Sequence, residues 1–126
     1  MKTTLTLATF AAFTALAGCS TMETQAPAQT VDGVLVGANG MTLYTFDKDT
    51  AGSGKSTCNG QCAVNWPPLM AGTSAPTAPN YSVVQRDDGG RQIAYKGKPL
   101  YYWVKDAKPG DKTGDGVNKV WRTATP

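Results

Sequence analysis

Apolar and polar residues fall in short runs along this chain, each only a few residues long and each broken by turn-forming residues. Val34, Leu35 and Val36 lead through Asn39-Gly40 to Leu43-Tyr44-Thr45-Phe46. Asn-Gly between two β-rich runs predicts a hairpin, because both residues accept the positive φ of a type I′ turn. A second such unit runs from Gln92-Ile93-Ala94-Tyr95 through Lys96-Gly97 to Leu100-Tyr101-Tyr102-Trp103-Val104. Pro99 has no N–H for a ladder, which predicts a strand start or a sheet edge there. Ser82–Arg86 reads as a further strand, turned back at Asp87-Asp88-Gly89-Gly90, and Lys119–Thr123 reads as a last one. Thr50–Pro68, Leu69–Asn80 and Asp106–Asn118 carry the Gly, Pro, Ser and Asn of loops. No segment beyond the N-terminal run sustains a 3.6-residue period. The pattern predicts an all-β fold, a small domain of two related β-hairpin units with long loops.

The two units share more than their pattern. Gly40-Met-Thr-Leu-Tyr-Thr-Phe-Asp-Lys-Asp49 and Gly97-Lys-Pro-Leu-Tyr-Tyr-Trp-Val-Lys-Asp106 match at Gly, at Leu-Tyr, at an aromatic and at the final Asp. Tyr44 corresponds to Tyr101, Phe46 to Trp103 and Asp49 to Asp106. Such self-similarity predicts a duplicated supersecondary unit. Strand alternation puts Tyr44 and Phe46 on one face, and Tyr101 and Trp103 on the equivalent face. With Trp66, Tyr95, Tyr102 and Trp121 they are the predicted core, since a domain this small has little else to bury. An exposed stripe of the same rings would instead bind a ligand by stacking. Asp49 and Asp106 are predicted to cap or turn the chain after each strand.

The N-terminus changes the picture of where the domain sits. Lys2 precedes an apolar run from Leu5 to Leu16, which is too short to span a bilayer and fits a secretory signal. Leu16-Ala17-Gly18-Cys19 is similar to a bacterial lipobox, which implies a diacylglyceryl group on Cys19. The predicted organisation is a signal peptide over 1–18, a lipidated Cys19 with a flexible tether to residue 30, and the β domain over 31–126. The membrane is thus a predicted partner through the lipid. Ser20 stands where an inner-membrane retention Asp would be, which favours an outer membrane in a host that has two.

Composition removes several chemistries. The chain has no histidine, so a Ser-His-Asp triad, a His metal site and His acid–base catalysis are excluded. Its one glutamate, Glu23, lies in the predicted tether. A formal charge of +3 without a basic run gives no reason to expect a nucleic-acid partner. Gly52-Ser-Gly-Lys-Ser-Thr57 lacks the first glycine of a phosphate-binding loop, with Asp49 in its place, so no nucleotide is expected. Asp111-Lys-Thr-Gly-Asp-Gly116 opens like a calcium loop but has Arg122 at the twelfth position, and reads as a turn. A carboxylate pair for glycoside hydrolysis would need a cleft.

Cys58 and Cys62 keep chemical potential. In an oxidising compartment a local disulfide is the expectation. The same spacing also suits a Cu(I) site, which Met41 or Met70 would have to complete, or a redox dithiol activated by Lys55 or backbone amides.

Both repeats carry Tyr-x-(Phe/Trp/Tyr)-x-x-Asp, in Tyr44–Asp49 and Tyr101–Asp106. With Cys58–Pro68 and the lipobox, this resembles the family of bacterial lipoproteins named for that motif, also described as a secreted repeat of unknown function. The likeness runs from about Val31 to Ala124 and implies no catalytic residue. The expectation is therefore a lipid-anchored cell-envelope module with no enzymatic role and no cofactor, structural, accessory or binding an unidentified envelope partner. A redox or copper-handling role through Cys58 and Cys62, and carbohydrate or wall binding through exposed aromatics, are the alternatives.

Overall fold

Asp32-Gly33 turns the chain back before the first predicted hairpin begins. Both residues have positive φ, 49° and 80°, the requirement of a type I′ turn. They join strand β1 (Gln29–Val31) to β2 (Val34–Val36). In the computed structural model, residues 26–126 are described, with Met1, Thr3, Thr4, Ala8, Thr9 and Ala11 ahead of them. Cys19 and the predicted lipobox lie outside the described residues. Strand β1 takes in Gln29 and Thr30, which the sequence places in the tether, and Ala28 before them is buried.

The remaining strands are β3 (Tyr44–Phe46), β4 (Tyr81–Gln85), β5 (Arg91–Tyr95), β6 (Lys98–Pro99) and β7 (Trp121–Thr123). They form antiparallel sheets β1-β2, β3-β7 and β4-β5-β6, so the fold is all-β with two related halves. One short helix, α1 (Gln61–Asn65), interrupts the first long loop, and a 3-10 turn (Val117–Lys119) precedes β7. Neither is long enough to show a helical period. Pro99 sits on the edge strand β6, opposite Ala94.

Two local expectations are corrected. The type I′ turn predicted at Asn39-Gly40 forms instead at Lys96-Gly97, where both φ are positive, 47° and 81°. The first copy has one more residue in its loop. Gly37 therefore accepts from the Gly40 N–H and donates to Met41, and Gly40 alone takes the left-handed conformation. The second correction concerns Leu100–Val104, predicted as a strand. Only Tyr101 keeps β pairing, with Tyr44 and Pro68, and the chain then leaves the sheet.

The two halves meet on a local pseudo-twofold. Tyr44 N donates to Tyr101 O at 2.8 Å, and Tyr101 N to Tyr44 O at 3.0 Å. Around this pair each repeat gives its last segment to the other. Leu69, at the end of the first repeat, donates to Leu100 O and accepts from Ile93 N (2.9 and 2.8 Å). Ala124, at the end of the second, donates to Leu43 O and accepts from Leu35 N, both at 2.8 Å. The exchange fills one buried cluster with Leu35, Leu43, Leu69, Ile93, Leu100 and Ala124, contributed by both repeats. A second cluster holds Tyr44, Phe46, Cys58, Trp66, Tyr101 and Trp121. Burial of large aromatics supplies much of the stability of so small a domain.

Candidate functional site

The duplicated motif is the centre of the second cluster, and its parts are crossed between repeats. Tyr44 Oη donates to Asp106 Oδ2 at 2.6 Å, and Tyr101 Oη donates to Asp49 Oδ2 at 2.5 Å. Each motif tyrosine therefore binds the motif aspartate of the other copy. The second carboxylate oxygen holds a loop. Asp49 Oδ1 accepts from the N–H and hydroxyl of Thr57, both at 2.7 Å. Asp106 Oδ1 accepts from the same groups of Thr113, at 3.0 and 2.6 Å. The predicted capping role is thus half of the arrangement. The carboxylates tie down loops, and they also pin the opposite repeat.

Both tyrosines are fully buried, which pushes their phenols well above the ordinary tyrosine range; the adjacent Asp106 and Asp49 add to the rise. Both aspartates are buried, and these hydrogen bonds occupy both oxygens of each.

Around Tyr101 the network extends further. Because the Tyr101 proton goes to Asp49, Ser56 Oγ donates to Tyr101 Oη at 2.6 Å. Arg86, 2 % exposed, donates to Ser56 Oγ (3.0 Å), Gln92 Oε1 (2.8 Å) and Cys58 O (2.7 Å). Asp88 partners its Nε at 3.1 Å. A buried guanidinium survives only with such a full set of acceptors. The Tyr44 side has no such residue, and Gly114 N donates to Tyr44 Oη instead, at 3.2 Å. Sequence reasoning missed Arg86; a lone arginine beside a turn gives no sign of burial.

Four rings stack beside these tyrosines in the order Phe46, Trp121, Trp66, Trp103. Their successive centroid separations are 4.2, 3.8 and 3.9 Å. Equivalent positions of the two repeats occupy equivalent places, Trp66 with Trp121 inside and Phe46 with Trp103 at the ends. Tyr44 and Tyr101 meet the inner tryptophans edge-on at 5.5 and 5.2 Å. Of the predicted core aromatics, Tyr95, Tyr102 and Trp103 are half-buried and the others are buried. No aromatic among the described residues is exposed, so the stacking platform that carbohydrate binding requires is absent there.

Cys58 and Cys62 are joined in a disulfide. Cys58 is fully buried, while Cys62 is half-buried and lines an open cleft of about 330 Å³ with Lys48, Asn65 and Asn118. The bridge takes up both thiolates that a Cu(I) site would use. Met70 lies elsewhere, bridged to Gln92 and half exposed. The Gly52–Thr57 loop serves as a brace, through Ser56 and Thr57. The Asp111–Gly116 segment is a turn, with Asp111 Oδ2 accepting from Ala107 N at 2.8 Å and Lys108 N at 3.1 Å. No group of three or more metal-binding side chains occurs among the described residues. Nor is any helix there long and apolar enough to cross a membrane.

Comparison with known proteins bears on this duplicated geometry. A protein family described as a secreted repeat of unknown function matches twice, at residues 27–70 and 82–125. The chain belongs to this family. The first match of this secreted-repeat protein begins beside buried Ala28, and the two together take in both motifs, the disulfide and both exchanged segments. No match is found among curated proteins or among solved structures.

Proposed function

We propose that this secreted-repeat protein is a lipid-anchored module of the bacterial envelope that acts by holding a partner. The observation that carries the reading is the crossed bracing. Tyr44, Asp49, Tyr101 and Asp106 are all buried and all bonded to one another or to loop residues. The duplicated residues are therefore spent on keeping the two halves rigid, and the surface remains as the place where the protein acts. A rigid scaffold presenting loops is suited to recognition. The anchor is Cys19, and Ser20 after it favours the outer membrane of a two-membrane host.

Expressed in a bacterial host, the full chain should sediment with membranes, resist high-salt washing and be released by detergent. Intact mass should show a diacylglyceryl group on Cys19, and replacing residues 1–19 by a signal peptide with an ordinary, non-lipid cleavage site should abolish the membrane fraction. A soluble wild-type chain, or a variant that still sediments, would refute the anchor.

One observation favours a second reading. Cys62 borders the open cleft, so an external dithiol has a sulfur to attack, with Cys58 as the leaving thiolate. A bridge that stays closed in a glutathione buffer is structural; one that opens there supports the redox role.

A further inference from the structure

The duplication creates two related grooves, each where a hairpin turn meets the closing segment of its own repeat, which lies on the sheet of the other repeat. Their walls differ at matching positions. The first is lined by Ala38, Leu69, Met70 and Tyr102, and also by residues of the 71–77 connection, Ser74 and Thr77 among them, which have no counterpart in the second. At the matching places the second has Lys96, Ala124, Thr125 and Thr45, and Lys98 and Arg122 join them. The same backbone exchange builds both, and Arg122 has a structural partner in Asp47, so folding leaves Lys96 and Lys98 unaccounted for in one groove where the other has no cation at the matching places. The difference points to what the second groove faces.

We propose that the groove between Lys96 and Arg122 binds a phosphate-bearing ligand. This deepens the binding-module reading and rests on it. The groove has a volume of about 330 Å³, room for a phosphate and a small attached group. Neither Lys96 nor Lys98 takes part in any salt bridge among the described residues. Lys96 lines the groove, its ammonium 5.4 Å from the centre of the Tyr95 ring. Thr45, Thr123 and Thr125 add hydroxyl donors to the wall. Arg122 is already held by Asp47, which accepts Nε at 3.0 Å and Nη2 at 2.9 Å. Its planar fork, the natural partner of a carboxylate, is thus occupied. What remains are two compact ammonium charges and a set of hydroxyls, donors that suit the several oxygens of a tetrahedral anion. Tyr95 also lines the groove, its ring packed against Tyr81 at 5.0 Å.

Residues 20–126, which lack both the apolar run of the signal peptide and Cys19, provide the test, since no anchor can then hold the protein to a vesicle. Backbone amide shifts are followed at low salt while inorganic phosphate is added. Separately, vesicles of phosphatidylcholine are added with and without phosphatidylglycerol. Saturable changes centred on Lys96, Lys98, Arg122 and Thr125 with phosphate support a soluble phosphate ligand. Saturation only with the phosphatidylglycerol vesicles supports a lipid headgroup. In either case Lys96→Asn with Lys98→Gln should weaken binding about ten-fold or more. Both positions have solvent access, and asparagine tolerates the left-handed backbone of residue 96. Overturning results are the absence of saturation with both probes, equal responses to chloride, or binding that survives the double substitution. None of these touches the sedimentation test of Cys19, so this site can fail while the anchored-module reading stands.

Discussion

The crossing of the motif can be measured as a set of four coupling energies. Tyr101→Phe removes the hydroxyl that Asp49 Oδ2 accepts at 2.5 Å, and Tyr44→Phe removes the one bound to Asp106 at 2.6 Å. A hydrogen bond to a buried carboxylate is worth about 1.5–3 kcal/mol. Each tyrosine is combined with each aspartate, changed to alanine, in a double-mutant cycle. The loss of the Thr57 or Thr113 contacts occurs in both arms of a cycle and cancels. Urea unfolding at neutral pH should then give coupling of about 1.5–3 kcal/mol for Tyr101 with Asp49 and for Tyr44 with Asp106. The within-motif pairs, Tyr44 with Asp49 and Tyr101 with Asp106, should couple by less than about 0.5 kcal/mol. Each single change should lower Tm by several degrees, at roughly 4–8 °C per kcal/mol for a domain of this size. Strong within-motif coupling, or none across the repeats, would refute the crossed brace.

Three further outcomes follow from the core. Trp66→Ala and Trp121→Ala, in the middle of the stack, should each cost about 3–5 kcal/mol, while Trp103→Ala at its half-buried end should cost about 1.5–2.5; denaturant melts giving the reverse order would show that the stack is not the core. Thr42 Oγ1 is buried without a hydrogen-bond partner, so Thr42→Val should stabilise by about 1 kcal/mol, and a lower urea midpoint would show that the hydroxyl is satisfied. The phenols of Tyr44 and Tyr101 are raised in the folded state, so their stabilising effect is complete below pH about 10 and is lost as pH rises beyond it, where the unfolded phenols ionise first. Absorbance at 295 nm should show both silent until unfolding, and free titration of all tyrosines at pH about 10 in the native protein would contradict their burial.

What was legible in the sequence was local. Alternation located β2, β3, β4, β5 and β7, and the repeated Gly-x-x-Leu-Tyr located the duplication. The exchange of partners was not legible. Tyr44–Asp49 and Tyr101–Asp106 read the same whether a tyrosine binds its own aspartate or the other copy's, because the two motifs are chemically equivalent. Strand β1 was hidden because Gln29-Thr30 is polar and follows a tether-like segment; Asp32-Gly33 was the signal that could have revealed it. The type I′ turn fell at Lys96-Gly97 because loop length, more than the Asn-Gly pair itself, decides which turn closes a hairpin. Helix α1 is five residues long, below what periodicity can register.

The exchanged segments around Leu69 and Ala124 also carry a history. A polypeptide with one repeat would hold the ledge for a closing segment and the segment itself, but its own segment points to the other molecule's ledge. Two such molecules would complete each other about the axis that now runs between Tyr44 and Tyr101. The present chain has the architecture of that homodimer, tandemly fused, with residues 71–80 as the join. Cutting the join should release no half, because each fragment still lies inside the other's sheet. Because both halves belong to one chain they need not be identical, and the second groove carries Lys96 and Thr125 where the first has Ala38 and Met70.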